Sequence, residues 1–429
     1  MERLFELFYQ TTGVTTDTRK VEKNQLYIAL KGENFNGNEF AEESLSKGAK
    51  YAIVDEKKYA DNKRIFYVQN GLIFLQKLAN YHRLKFNIPV IGITGSNGKT
   101  TTKELIANVL SKKLNILFTS GNLNNHIGVP LTLLRLNNEH DIAIIEMGAS
   151  KLGDIAELTN IAHPSHGIIT NIGKAHLEGF GSAAGVLKTK KELYDYIEKI
   201  GGILFYNSDD SLLKENLPKK IKCFDYGTSN QADIVGEIVS FAPEVHLKWK
   251  NKSYESEIIK TKIIGKYNFY NMLAAICIGN YFELNPNEIN KGIADYTPKN
   301  NRSQVEKTAS NTVILDAYNA NPTSVKSALE SFAMMEHPEK LFVLGDMLEL
   351  GNESIIEHKE IILLSQKLNL QGVFVGKEFI KNKEEFDNCI FFETKEEASS
   401  FLALAQPKNN LILLKGSRGI GLEKLLEVL

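Results

Sequence analysis

An apolar strand that leads directly into a glycine-rich turn and then a helix limits what this chain can fold into more than any other feature. The strand 88–94 (Ile-Pro-Val-Ile-Gly-Ile-Thr) precedes the turn 95–101 and an amphipathic run from Thr102 to Lys113. This order predicts a phosphate-binding loop, because backbone N–H groups and the positive end of the helix converge on phosphate oxygens. We predict that Lys99 reaches the outer phosphates of a nucleoside triphosphate and that the Thr100 hydroxyl ligates Mg²⁺. The predicted nucleotide-binding residues of the loop are Gly95, Ser96, Asn97, Gly98, Lys99, Thr100 and Thr101.

The spacing of this loop departs from the strict phosphate-loop motif. That motif places a glycine five residues before Gly98, where this chain has Ile93, and the glycines stand at 92 and 95 instead. An ordinary strand-to-helix turn is therefore the alternative interpretation. The strand before the turn and the helix after it favour the phosphate loop.

Length and composition narrow the class of protein. A chain of 429 residues is too long for one core and suggests about three domains. With 24% charged residues and a net charge of -1, nothing indicates binding to nucleic acid or to a membrane surface. The three cysteines lie far apart, without the spacing of a disulfide framework or a metal site. The first residues lack a signal-peptide pattern and no long apolar run follows, so we expect a cytoplasmic protein without membrane insertion.

Strands and helices alternate along three successive segments. Residues 1–84 contain short strands and helices but no phosphate loop, whereas the strands of residues 85–300 are buried in character, as those of a mostly parallel sheet are. After an Asn-rich break at 298–301, a second α/β rhythm occupies residues 301–429. We predict an α/β protein of three domains: a small N-terminal α/β domain, a central doubly wound and mostly parallel ATPase-like sheet, and a C-terminal Rossmann-like domain.

Polar residues follow two further strands of the central segment. Glu146 ends the strand 141–147, and His176 comes shortly after the strand 167–172. Ligands of such sheets lie at the carboxyl ends of the strands, so Glu146 is a candidate ligand for Mg²⁺ on phosphate oxygens. A surface charge at a strand end and a structural histidine are the alternatives. Lys188, Lys190 and Lys191 by themselves indicate a solvated helix face.

The motifs together resemble those of the Mur ligases, the ATP-dependent amide-bond-forming enzymes of peptidoglycan precursor synthesis, over essentially the whole chain. The loop 94–101 has the form typical of that family, which accounts for its spacing. The stretches 124–134 and 344–351 are similar to segments of the branch that adds D-alanyl-D-alanine. The resemblance implies that ATP phosphorylates the terminal carboxylate of a UDP-N-acetylmuramoyl tripeptide and that D-alanyl-D-alanine then displaces phosphate. It also implies that residues 1–84 bind the UDP-sugar, that 85–300 bind ATP, and that 301–429 form a mobile domain that binds the dipeptide and closes on ATP.

The resemblance further implies a metal centre and a modified lysine. Lys190 aligns with the family's carbamylated lysine, and an ammonium beside Mg²⁺ would repel it, whereas a carbamate supplies oxygen ligands. Glu146, His176 and carbamylated Lys190 would hold a second Mg²⁺ near the one shared with Thr100. The implied catalytic residues are Lys99, His176, Lys190 and Arg302.

Other residues acquire roles only through the resemblance. Nucleotide contacts are implied for Asn268, Asn271, Asp316 and Arg302, and substrate contacts for Thr18, Arg19, Asn321 and Asp346. Tyr267 stands where the family usually has His, and Ala317 where it has Ser. We expect a monomer. The alternatives are another ligase of the superfamily, adding the third residue or resembling folylpolyglutamate synthase, and a nucleotide-gated binding protein.

Overall fold

The computed structural model describes residues 2–174, 177–241 and 243–429. Three larger sheets succeed one another along the chain, with strand orders β1-β2-β5-β6, β15-β14-β13-β12-β11-β10-β7-β9-β8 and β16-β17-β21-β18-β19-β20, and a small hairpin, β3-β4, accompanies the first. Among the helices described, none has the length and apolar character needed to cross a bilayer.

The N-terminal sheet is parallel and small. Its strands pack around a core of Tyr27, Ala52, Val54 and Ile65, and the last helix begins where the Asn70 side chain accepts a hydrogen bond from the Ile73 N–H. The strands are β1 (Val14–Thr15), β2 (Leu26–Ile28), β3 (Lys31–Gly32), β4 (Phe35–Asn36), β5 (Tyr51–Val54) and β6 (Ile65–Tyr67). The helices are α1 (Glu2–Phe8), α2 (Ala41–Ser46) and α3 (Gly71–Arg83).

The central sheet has nine strands: β7 (Val90–Thr94), β8 (Ile116–Phe118), β9 (Ile142–Glu146), β10 (His166–Ile169), β11 (Ile203–Asn207), β12 (Lys222–Gly227), β13 (Ile234–Ser240), β14 (Glu244–Lys250) and β15 (Ile259–Ile264). Its helices are α4 (Lys99–Leu110), α5 (Gly128–Leu133), α6 (Asp154–Ala162), α7 (Leu177–Phe180), α8 (Ala183–Ile200), α9 (Ser211–Glu215), α10 (Phe269–Tyr281) and α11 (Pro286–Asp295). The pairs β7–β9, β8–β9 and β11–β12 are parallel, and β13, β14 and β15 pair antiparallel. Every residue of β7 and β9 is buried, which explains why both are apolar up to their last residues, Thr94 and Glu146.

The C-terminal sheet is parallel except for β16, which pairs antiparallel with β17. Its strands are β16 (Gln304–Lys307), β17 (Thr312–Asp316), β18 (Lys340–Gly345), β19 (Gly372–Val375), β20 (Ile390–Phe392) and β21 (Leu411–Lys415), and its helices are α12 (Pro322–Ala333), α13 (Ser354–Lys367), α14 (Lys377–Ile380) and α15 (Lys395–Ala405). Alternate strand residues enter two separate apolar clusters, Val313, Val343, Val373 and Ile412 in one and Ile314, Leu344, Phe374 and Leu413 in the other. Both faces of this sheet are therefore covered, as the Rossmann-like prediction requires.

The α/β class and the three-domain architecture are confirmed, whereas the domain limits remain predictions. The chain divides into two compact units, residues 1–93, 114–148 and 154–166 in the first and 94–113, 149–153 and 167–429 in the second. This division differs from the predicted ranges, because β8 and β9 fall in the first unit and β11 to β15 in the second. Each of the larger sheets still lies within one predicted range.

Candidate active site

Two glycines give the phosphate loop, in the second unit, its shape. Gly95 and Gly98 have φ values of 144° and 76°, which residues with a side chain rarely adopt. A Cβ atom at Gly95 would collide with the Thr170 side chain, and one at Gly98 would lie 2.7 Å from Asn271 Oδ1. The sequence therefore needs glycine at both positions, for conformation and for space.

Lys99 begins α4 and turns back over the loop. Its Nζ donates hydrogen bonds to the carbonyl oxygens of Gly95, at 2.7 Å, and Ser96, at 3.2 Å. Thr100, the next residue of the helix, is buried. The ammonium thus lies beside the first turn of α4, where the helix dipole also favours an anion.

The segment that follows β10 holds the loop in place. Asn171 accepts hydrogen bonds from the N–H groups of Ser96 and Asn97 through its carbonyl oxygen and its Oδ1, both at 3.0 Å. Its Nδ2 donates to the Asn97 carbonyl oxygen, also at 3.0 Å. Sequence reasoning assigned no role to Asn171, although its place after a central strand was a usable signal.

The predicted nucleotide contacts Asn268 and Asn271 join three parts of the second unit. Asn271 Nδ2 donates to Asn268 Oδ1 at 2.8 Å, and Thr102 Oγ1 donates to Asn271 Oδ1 at 3.1 Å. Tyr267, in the place of the family's histidine, shares a 2.8 Å hydrogen bond with the Ser303 hydroxyl. Burial raises the pKa of the Tyr267 hydroxyl, so the group stays neutral. Contact of the two asparagines with a nucleotide remains a prediction.

Asp316 forms a buried ion pair that sequence reasoning missed. Its Oδ2 lies 2.6 Å from Lys415 Nζ, and its Oδ1 accepts the Ser303 N–H at 3.2 Å. Asp316 ends β17 and is paired in register with Lys415, which ends the parallel neighbour β21. A lysine at the end of an apolar strand was the only sequence signal for this partner.

Two arginines lie against one tyrosine ring in the C-terminal range. The guanidinium carbon of Arg302 lies 3.6 Å from the centroid of Tyr318, and that of Arg418 lies 5.4 Å from the same centroid. Arg418 is exposed, and sequence reasoning gave it no role. Cation–π contacts of this kind help to hold a guanidinium in place while leaving N–H groups to bind anions.

Two buried donors near these residues have no hydrogen-bond partner in the described part of the chain. They are Nδ2 of Asn97, in the phosphate loop, and Nε of Arg302. Buried N–H groups without a partner are costly, and phosphate oxygens would satisfy them. The residues present therefore fit an anionic nucleotide.

The two predicted substrate residues of the C-terminal range have other contacts. Asn321 caps α12, accepting the Ser324 N–H, and its Nδ2 donates to Asn97 Oδ1 at 2.7 Å. Asp346 is buried, and its carboxylate accepts the N–H groups of Glu378 and Phe379 at 2.9 and 3.0 Å. Burial raises the pKa of Asp346, and these two bonds oppose the rise. Asp346 thus holds the loop after β18 against α14, and its contact with substrate remains a prediction.

The structure separates the three lysines of α8. Lys190 lies on the buried face with only 2% of its surface exposed, and its Nζ is 5.3 Å from the centroid of the Phe180 ring. Lys188 is exposed, and Lys191 pairs with Asp195 on the outer side. The reading of a solvated helix face is therefore wrong for Lys190 and correct for its neighbours. A modification that removes the positive charge suits such a buried amine.

The first unit holds three further predicted residues, Glu146, Thr18 and Arg19. Glu146 ends β9 with 1% of its surface exposed, and its Oε1 accepts a 2.7 Å hydrogen bond from Asn124 Nδ2. Thr18 is buried, whereas the exposed Arg19 makes a two-bond ion pair that lowers the pKa of Asp17 to about 2. His176 lies outside the described residues. Within the described ranges no three His, Cys, Asp or Glu side chains cluster around a possible metal, and only Glu146 of the predicted ligands there belongs to those types.

Family comparisons cover nearly all of the chain. Residues 10–91 match the Mur ligase family, catalytic domain, 93–279 match the Mur ligase middle domain, and 301–418 match the Mur ligase, glutamate ligase domain. The UDP-N-acetylmuramoyl-tripeptide–D-alanyl-D-alanine ligase of Bacillus subtilis is 36% identical over 97% of this chain and 92% of its own length. The enzyme of that name from Escherichia coli is 33% identical over 97% of this chain and 93% of its own length.

Solved structures agree with these matches. A crystal structure of MurF from Acinetobacter baumannii superposes with a TM-score of 0.88 at 29% identity, over 99% of this chain and 97% of that one. The structure of MurF ligase from Thermotoga maritima in complex with ADP superposes with a TM-score of 0.86 at 27% identity, over 98% of this chain and 97% of that one. Mycobacterium tuberculosis folylpolyglutamate synthase superposes with a TM-score of 0.64 at 15% identity, over 81% of this chain and 92% of that one. At this identity the likeness shows a shared fold alone.

Proposed function

The chain belongs to the Mur ligase family, and we propose that it is the member that joins D-alanyl-D-alanine to a UDP-N-acetylmuramoyl tripeptide, at the cost of one ATP, to give the pentapeptide precursor of peptidoglycan. The observation that carries the proposal is the sequence similarity to relatives of that name, which extends over nearly the whole chain. The partnerless N–H groups of Asn97 and Arg302 support the nucleotide part independently, because they suit phosphate oxygens.

The reaction forms an amide from a carboxylate that lacks a leaving group. The terminal carboxylate oxygen of the tripeptide attacks the γ-phosphorus of ATP and releases ADP, which leaves an acyl phosphate. The neutral amine of the dipeptide then attacks the acyl carbon, phosphate departs, and the amine's extra proton passes to a base or to the departing phosphate. Lys99 and the loop N–H groups stabilise the charge that gathers as the two anions approach.

We propose that Thr100, Glu146, His176 and a carbamylated Lys190 provide ligands for two magnesium ions. Bound Mg²⁺ neutralises phosphate charge in such reactions. The burial of Lys190, in contrast to the exposed Lys188, supports the carbamate, which supplies oxygen donors in place of a buried ammonium. The buried Glu146 carboxylate is a hard oxygen ligand of the kind Mg²⁺ prefers.

The substrates would lie at opposite ends of the chain. An exposed guanidinium stacked on Tyr318 suits a carboxylate, so we assign the carboxylate of the dipeptide to Arg418 and place Asn321 and Asp346 around it. At the N-terminus we assign the UDP end of the tripeptide substrate to Thr18 and Arg19, whose guanidinium is held in place by Asp17. Closure of the C-terminal domain would exclude water from the acyl phosphate. We expect a cytoplasmic monomer.

Phosphate release from purified protein tests the proposal. The assay supplies ATP, Mg²⁺ and UDP-N-acetylmuramoyl tripeptide ending in diaminopimelate or lysine, each with and without D-alanyl-D-alanine. Release that needs both tripeptide and dipeptide supports the proposal. Release that single amino acids sustain identifies another ligase of the superfamily, and turnover indifferent to both substrates identifies a nucleotide-gated binding protein.

A further inference from the structure

We propose that residues 170–174, the relay segment, connect the phosphate loop to the domain that receives the dipeptide, and that Lys174 and Glu357 are positioning residues for the acyl transfer. The inference rests on the proposed function. It assigns a role to an ion pair that touches neither of the proposed substrates. All of the contacts involved lie within the second compact unit.

On one side the relay segment is bonded to the phosphate loop. The Gly173 N–H donates to Ser96 Oγ at 2.9 Å, and Ser96 Oγ donates to the Gly173 carbonyl oxygen at 3.1 Å. The Thr170 hydroxyl donates to the Asn97 carbonyl oxygen at 2.5 Å. Together with the Asn171 bonds described above, these contacts mean that the loop and the relay segment move as one piece.

On the other side the relay segment touches α12 and α13. Lys174 Nζ lies 2.5 Å from Glu357 Oε1, and the Lys174 N–H donates to Thr323 Oγ1 at 3.3 Å. A Cβ atom at Gly173 would lie 2.9 Å from Thr323 Oγ1, so a side chain there would require Thr323 to shift. The hydrogen bond from Asn321, at the start of α12, to Asn97 is a second link between the C-terminal range and the phosphate loop.

The charge distribution makes the Lys174 contact energetically significant. Only 8% of the Glu357 side chain is exposed, whereas 56% of Lys174 is. Among the described residues, Glu357 forms an ion pair with Lys174 alone. Glu353 and Glu360 place further negative charge near the Lys174 ammonium. A buried carboxylate that loses its cation is strongly disfavoured, so the C-terminal domain gains by staying on the relay segment.

The position of this connection suits the order of the reaction. The acyl phosphate forms beside the loop, and the dipeptide amine must reach it within a few ångströms in the right orientation. A domain that is docked on the same segment that braces the loop brings the amine to the acyl carbon. Loosening the docking should therefore weaken use of the dipeptide while leaving the nucleotide site intact.

Charge substitutions at the pair test the inference. We would compare Lys174→Met, Glu357→Gln and the double reversal K174E/E357K with Lys359→Met, a control that removes an ion pair of the same helix to Glu385. Measured quantities are kcat, the KM for D-alanyl-D-alanine, the Kd for ADP by calorimetry, and Tm. Each single variant should raise the KM for the dipeptide about tenfold with an unchanged Kd for ADP, and the double reversal should recover part of that loss, because Glu353 and Glu360 oppose a carboxylate at position 174.

Three outcomes would overturn the inference. One is a KM for the dipeptide in Lys174→Met that equals that of Lys359→Met. Another is a loss confined to Tm that the charge reversal does not restore, which would make the pair merely structural. An unmutated protein without dipeptide-dependent phosphate release would overturn the proposed function as well, and this distinguishes the two failures.

Discussion

The phosphate loop and the Asp316–Lys415 ion pair both lie at the carboxyl ends of parallel strands, yet they are built in different ways. The loop takes its shape from consecutive residues, chiefly Gly95, Gly98 and Lys99, within one strand-turn-helix unit. Asp316 and Lys415 are almost a hundred residues apart and meet only because β17 and β21 pair in register. The comparison teaches that a local motif carries its chemistry in its sequence, whereas an assembled site depends on which strands become neighbours.

Removal of the loop lysine should have the largest effect. We expect Lys99→Met to lower kcat/KM at least about a thousandfold, because its ammonium is the cation held at the start of α4. Steady-state phosphate release measures this, with Lys112→Met, just beyond the far end of the same helix, as the control. A loss below about tenfold would mean that the local motif does not carry the chemistry.

The buried lysine of α8 should come next. Lys190→Ala should lower ligation on the order of a hundredfold, and added acetate should partly rescue it by supplying the missing carboxylate. Lys191→Ala, at an exposed ion pair, should be nearly silent. Equal small losses at both positions would show that burial of Lys190 has no role in the reaction.

The assembled ion pair should show its effect in stability. Lys415→Met removes the cation that pairs with the largely buried Asp316 carboxylate. The free energy of unfolding, measured by urea denaturation, should therefore fall by about 3 kcal/mol. The double variant K415M/D316N should recover part of that loss. Lys359→Met, at an exposed pair, should cost less than about 1 kcal/mol. Similar losses for both single variants would remove the distinction between a buried and an exposed pair.

The smallest effect should come from the exposed arginine. Arg418→Met should raise the KM for D-alanyl-D-alanine about tenfold and leave the Kd for ADP unchanged, because it removes one charge-assisted contact. Steady-state kinetics at varied dipeptide concentration checks this, and Arg418→Lys should recover only part of the loss. An unchanged KM would place the dipeptide elsewhere than on Tyr318.

Sequence reasoning found the elements whose signal lies in adjacent residues. The order of strand, glycine turn and helix predicted the phosphate loop, whereas the lack of space for a side chain at Gly95 and Gly98 comes from Thr170 and Asn271, far along the chain. Alternating apolar strands and helices predicted an α/β protein of three domains. The importance of Lys190 came from resemblance alone, since Lys188 and Lys191 lie close to it in the sequence and nothing local distinguishes the three.

Other parts of the site could not be predicted this way. Asn171, Lys415 and Arg418 lie at or just after the ends of strands, and this position alone does not say which residues each of them contacts. The link from Lys174 to Glu357 joins the segment after β10 to α13, far apart in the sequence. Asp346, predicted to bind substrate, proved to be buried against the start of α14.

The sequence alone determined where a phosphate could bind, because the backbone conformation of a glycine turn and the dipole of the helix after it are local properties. Only the tertiary structure decided which lysine of α8 is buried, which cation faces Asp316 and which segment braces the loop. Those outcomes depend on strand order and helix packing, which sum many weak contacts over the whole chain and leave no mark on any single stretch of residues.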